Sequence, residues 1–136
     1  MASYRVVCPI CKKVTNLPGD APCPKCGNQI TIPRGGMIQI YRMGNFIGAA
    51  AQAGIYINGV PYGHVGNRST VMIPLEFGSY LLHMTMGMNR RSNDPTIVLT
   101  PQNPVAYLKM HIRMGVFSNT QVIEPADPST MPPPEA

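Results

Sequence analysis

Val105-Ala-Tyr-Leu-Lys-Met-His-Ile-Arg-Met114 alternates without a break. Ala106, Leu108, Met110, Ile112 and Met114 fall on one side, and Tyr107, Lys109, His111 and Arg113 fall on the other. A repeat of two is the signature of a β-strand with one face in a core and the other turned to solvent or a partner. The same alternation occurs upstream, where Leu82, Met84, Met86 and Met88 oppose Leu81, His83 and Thr85. Ile38 with Ile40, Ile55 with Ile57, and Val71 with Ile73 supply shorter inward pairs. Gly, Pro and Asn punctuate these runs, and the reading places strands near 37–43, 53–58, 69–74, 79–88, 96–100, 104–113 and 115–123. Asn58-Gly59 is a tight-turn signal, whereas the alanines of 48–54 lie between glycines too close together for a stable helix. With 13 Gly, 15 Pro and only 12% charged residues, strands and turns are favoured over long helices. The body, 37–123, is therefore expected to be an antiparallel β-sandwich of about seven strands in a mainly β protein.

All 4 cysteines precede this body, as Cys8-Pro-Ile-Cys11 and Cys23-Pro-Lys-Cys26-Gly27. Each C-x-x-C turn brings two thiolates to one side of a tight knuckle, and two facing knuckles complete a tetrahedron around a metal. The pattern resembles the zinc-ribbon family, and the C-P-x-C-G form of the second knuckle is also found in rubredoxins. The resemblance implies a small ribbon over 1–33, with Cys8, Cys11, Cys23 and Cys26 as ligands. Zinc is the expected metal, because an all-sulfur tetrahedral site suits zinc or iron and a structural zinc needs no further apparatus. Iron is the runner-up; the first knuckle ends in Lys12 where a rubredoxin has Gly, and few aromatic residues stand near to shield a redox centre. Some 30 residues cannot bury enough apolar surface to fold alone, so the metal is expected to supply the ribbon's stability. Arg34-Gly35-Gly36 reads as a linker.

The body also resembles PEGA-like and carboxypeptidase-regulatory-like bacterial β-sandwiches of prealbumin-like topology. The resemblance rests on Ile55-Tyr-Ile-Asn-Gly59, Gly63-His-Val65 and the corner Phe77-Gly-Ser-Tyr80. It implies an interaction or accessory module and brings no catalytic residues. Residues 124–136, rich in proline and acidic, read as a disordered tail.

Several chemistries find no footing. No G-x-S-x-G elbow, P-loop or G-x-G-x-x-G is present, and the only carboxylates in the body are Glu76 and Asp94 in turn-like sequence. A non-enzymatic protein is expected. His64, His83 and His111 lack metal-ligand spacing, and Met84-Thr-Met86-Gly-Met88 reads as flexible core filling rather than a copper site. Arg5, Lys12, Lys13, Lys25 and Arg34 against Asp20 give residues 1–36 a net +4, which raises a nucleic-acid reading. Thiolates and a divalent ion lower the chain's formal +5 to about +3, and lysines near thiolates screen them, so nucleic acid is not favoured. Arg90-Arg91 marks an exposed loop able to meet an acidic partner. The stripe Tyr107, Lys109, His111 and Arg113 is the candidate face for a protein partner or for self-association. No apolar run reaches membrane-spanning length and Met1–Val7 has no secretory core, so a cytoplasmic location is expected.

Overall fold

The computed structural model describes residues 3–43, 53–66, 68–86, 92–113, 120–127 and 129, with the backbone alone at Met86 and Arg113. The expectations for 48–52, Met88, Arg90-Arg91, Met114 and most of the tail lie outside these residues. The described chain is nearly all β. In order the strands are β1 (Tyr4–Val7), β2 (Val14–Leu17), β3 (Ala21–Pro22), β4 (Gln29–Ile30), β5 (Gly36–Arg42) and β6 (Ala53–Ile57). They continue as β7 (Val60–Val65), β8 (Thr70–Leu75), β9 (Gly78–Met86), β10 (Thr96–Leu99), β11 (Val105–Arg113) and β12 (Thr120–Pro125).

Two large sheets face each other. One has six strands in the order β12-β11-β5-β8-β1-β2, the other four in the order β10-β9-β6-β7. The alternating residues meet between them: Ile38, Ile40, Ile55, Ile73, Leu82, Met84 and Met110 are all fully buried. Met84 is thus core, and His83 on the opposite face pairs instead with Asp94 at 2.7 Å. Asn58 and Gly59, with φ of 51° and 79°, make the expected tight turn between β6 and β7. The second arm of that hairpin is a strand additional to the expected set.

Two ladders depart from a purely antiparallel body. β11 runs parallel to β5, with Leu108 opposite Ile40, and β1 meets β8 in parallel, with Tyr4 opposite Met72. The chain leaves the larger sheet after β8, forms β9 and β10 in the other, and returns in the direction of β5. An alternating strand specifies which face is buried but not the direction of its neighbour, so periodicity was silent on this point. The final strand also reaches Pro125, beyond the expected limit at 123, and Ala126 N–H still donates to Tyr107 O at 2.8 Å.

The ribbon is continuous with this architecture, since β1 and β2 extend the six-stranded sheet. Its joint is packed: a Cβ on Gly36 would lie 2.8 Å from Leu99 Cδ1 and 3.0 Å from Leu75 O. Only glycine lets β5 approach its neighbours this closely. Arg5, 8% exposed on β1, is the second fastening. Its Nε donates to Asn16 Oδ1 at 3.1 Å, and its Nη1 donates to the carbonyls of Tyr62 and His64 on β7, an outer strand of the smaller sheet. A buried guanidinium thus occupies backbone acceptors on the outer strand β7. Arg5→Met should destabilise the metal-loaded chain by about 2 kcal/mol in denaturant unfolding, because charge-assisted hydrogen bonds from a buried guanidinium are lost. An unchanged midpoint would show that the ribbon does not brace β7.

Candidate metal centre

The two C-x-x-C segments occupy corresponding places at hairpin tips. Cys8 and Cys11 lie between β1 and β2, and Cys23 and Cys26 lie between β3 and β4. Their backbones repeat one pattern of hydrogen bonds. Cys8 N–H donates to Lys13 O and Lys12 N–H to Cys8 O; Cys23 N–H donates to Asn28 O and Gly27 N–H to Cys23 O, all between 2.8 and 3.0 Å. The residue closing each knuckle is left-handed, Lys12 at φ 63° and Gly27 at φ 80°. Lys12 accepts the conformation that glycine adopts without a steric penalty, at a cost on the order of 1 kcal/mol.

The four Sγ atoms lie within 4.8 Å of one another, with Cys8–Cys26 and Cys11–Cys23 each at 3.7 Å. A regular tetrahedron with metal–sulfur bonds of about 2.3 Å has edges of about 3.8 Å, so the spacing suits a tetrathiolate ion. Disulfide bonding would require about 2.05 Å, and all four are free cysteines. Cys8 and Cys23 are buried at 0% and 2% exposure, Cys11 is half-buried and Cys26 is exposed. Val6, Leu17, Ile30 and Ile32 pack with them into a small core separate from that of the sandwich.

The electrostatics of the sulfurs calls for a cation. Cys26 is held down to about 6 by the backbone N–H of Asn28 and by its side-chain amide, whose Nδ2 lies 3.3 Å from the sulfur. For Cys23, desolvation opposes ionisation, but the N–H groups of Cys26 and Lys25 outweigh it and lower the value. Cys11 behaves oppositely: although the Lys13 backbone N–H favours its thiolate, desolvation and the three neighbouring sulfurs push it up to about 11. Four thiolates at this spacing repel one another, and a divalent ion removes that repulsion by replacing the protons.

The basic residues of the N-terminal region separate in the structure. Arg5 is buried against β7, and Arg34 Nη2 pairs with Asp20 Oδ2 at 3.2 Å. Lys12, Lys13 and Lys25 are exposed on the two knuckles. The candidate partner stripe lies away from the cysteine cluster, on the outward face of the larger sheet. Tyr107 stands opposite Gln39, and Lys109 stands opposite Tyr41 on one side and Glu124 on the other. Glu124 Oε1 lies 3.6 Å from Lys109 Nζ and 3.2 Å from His111 Nε2. These side chains are half-buried. Arg113 continues the stripe in the backbone, and its side chain lies outside the described residues.

Asn28 escaped the sequence reading, and Arg5 entered it only as one of the basic residues, without its bracing role. Asn28 carries a weak signal, two positions after the last cysteine, whereas Arg5 carries none because its partners are 57 and 59 residues away. No family model matches the chain, and comparison with curated proteins and with solved structures returns no match.

Two measurements check the centre. Cys8→Ser should reduce bound metal from about one equivalent to well below it and accelerate amide exchange in β1, β2 and β8, since the ribbon shares their sheet. Lys12→Gly should stabilise the metal-loaded chain by up to about 1 kcal/mol in thermal unfolding, by relieving the left-handed conformation.

Proposed function

We propose that the protein is a non-catalytic binding module, in which a structural zinc ion holds the ribbon against a β-sandwich that presents its outward sheet face to a protein partner or a second copy. The observation that carries this reading is a cluster of four cysteine sulfurs within 4.8 Å of one another. A divalent ion with four protein ligands keeps no position for water or substrate, which is the arrangement of structural rather than catalytic zinc. Zinc is favoured over iron because the small core around the sulfurs is aliphatic, with Tyr4 as its one aromatic neighbour among the described residues. Free thiols suit a reducing, cytoplasmic setting. No helix among the described residues is long and apolar enough to cross a membrane.

The partner face is Tyr107, Lys109 and His111 with Gln39, Tyr41 and Glu124 beside them, continued by Arg113. Half-buried tyrosines among charges of both signs combine an apolar anchor with polar specificity. The resemblance of the body to small bacterial accessory sandwiches points the same way. Nucleic-acid binding by Lys12, Lys13 and Lys25 is the competing reading; it predicts retention on nucleic acid that weakens steeply with salt.

Purified protein should be colourless and contain about one zinc per chain. A red oxidised form with iron would replace this reading by an electron carrier. Matched affinity captures with the full chain and with the double variant Tyr107→Ala, Lys109→Glu should differ about fivefold or more in bound partner, or in self-association by sedimentation. Equal capture would move the interface off this face.

A further inference from the structure

A cleft of about 560 Å³ opens where the ribbon meets the outward face of the larger sheet. Tyr4, Pro18, Met37, Pro74 and Val105 line it, and so do Asp20 and Arg34. Met37 stands opposite Pro74 on one side and Val105 on the other, so one transverse row across β8, β5 and β11 forms the floor. The lining is about half apolar and rich in proline, and it carries one cation whose side chain is 80% exposed.

The described chain ends beside this row. β12 runs antiparallel to β11 as far as Pro125 opposite Leu108, and Ala126 is bonded to Tyr107, two residues from Val105. Asp127 then closes a turn by accepting from Ser129 N–H at 3.0 Å and Ser129 Oγ at 2.9 Å. The residues that follow are Thr130-Met-Pro-Pro-Pro-Glu-Ala136. Three successive prolines favour a polyproline II conformation, which advances about 3.1 Å per residue, so seven residues in that form would reach about 22 Å. The distance from β12 to β8 is three strand spacings, about 14 Å, which lies within that reach.

Charge and shape agree with length. Polyproline segments dock in apolar grooves containing aromatic residues, at low entropic cost because they are already extended. Glu135 provides a carboxylate for Arg34, whose exposed pair with Asp20 is the kind that contributes little and exchanges readily. We propose that the cleft is the docking site of the chain's own C-terminal segment 130–136, with Pro132, Pro133 and Pro134 against Tyr4 and Met37 and with Glu135 on Arg34. The docked segment straps the ribbon to the sandwich across their joint. This assignment depends neither on the identity of the metal nor on the partner face, so it stands or falls by its own test.

The test compares amide spectra of the metal-loaded full chain and a version ending at Ser129. Truncation should shift the amides of Gly36, Met37 and Val105 while leaving those of β6 and β9 in place, which also reports that the fold is intact. A peptide of residues 127–136 added to the truncated chain should return the shifted signals to their full-length positions. Arg34→Glu should weaken that peptide about threefold, and a peptide carrying Glu135→Lys should recover the loss on the same variant. Unchanged amides on truncation overturn the proposal. Full-chain signals that move with protein concentration, accompanied by dimeric mass, assign the cleft to a second copy's segment and overturn it equally.

Discussion

Four thiolates within 4.8 Å of one another repel, a cation among them removes that repulsion, and the two N-terminal knuckles are placed to meet that requirement. The two knuckles have short hairpins and few buried residues, so packing alone gives them little support, and their four sulfurs are positioned to bind a metal ion. What the cysteine cluster anchors, however, extends beyond the knuckles. β1 enters the six-stranded sheet beside β8 and carries Arg5 to the carbonyls of Tyr62 and His64. A charge-balance problem at the cysteines is thereby linked to the outer strand of the opposite sheet through one hairpin and one guanidinium.

Exposed strand edges are the second constraint, because unpaired backbone groups invite pairing with another chain. The structure handles two of them with side chains. Arg5 occupies the outward carbonyls of β7. On β12, the side-chain amide of Asn93 imitates a neighbouring strand: its Nδ2 donates to Ile123 O and its Oδ1 accepts from Ile123 N–H, both at 2.8 Å. With these backbone groups occupied, β7 and β12 offer less open edge for strand addition.

Much of this was legible in the sequence because it depends on local periodicity and short spacing. The alternation from Val105 onward assigned Leu108 and Met110 to the core, and Ile38, Ile40, Ile55 and Ile73 followed from the same repeat. Asn58-Gly59 marked its turn because both residues must adopt positive φ. The cysteine spacing named four residues that the fold does bring together. Less visible were β7, whose exposed Val60 and Pro61 break the alternation, and the direction of β11, which depends on where the chain crosses between sheets.

By itself, the sequence determined the chemistry of the ribbon and the inward set of the sandwich. Coordination requires particular atoms at short spacing, and burial requires a period of two, and both are written within a few residues of one another. The tertiary structure alone decided that the ribbon extends the larger sheet, that Arg5 is a buried brace rather than part of a basic patch, and that a cleft lies at Gly36. Each of these depends on residues far apart in the chain being brought together, and no local pattern encodes a partner 59 positions away.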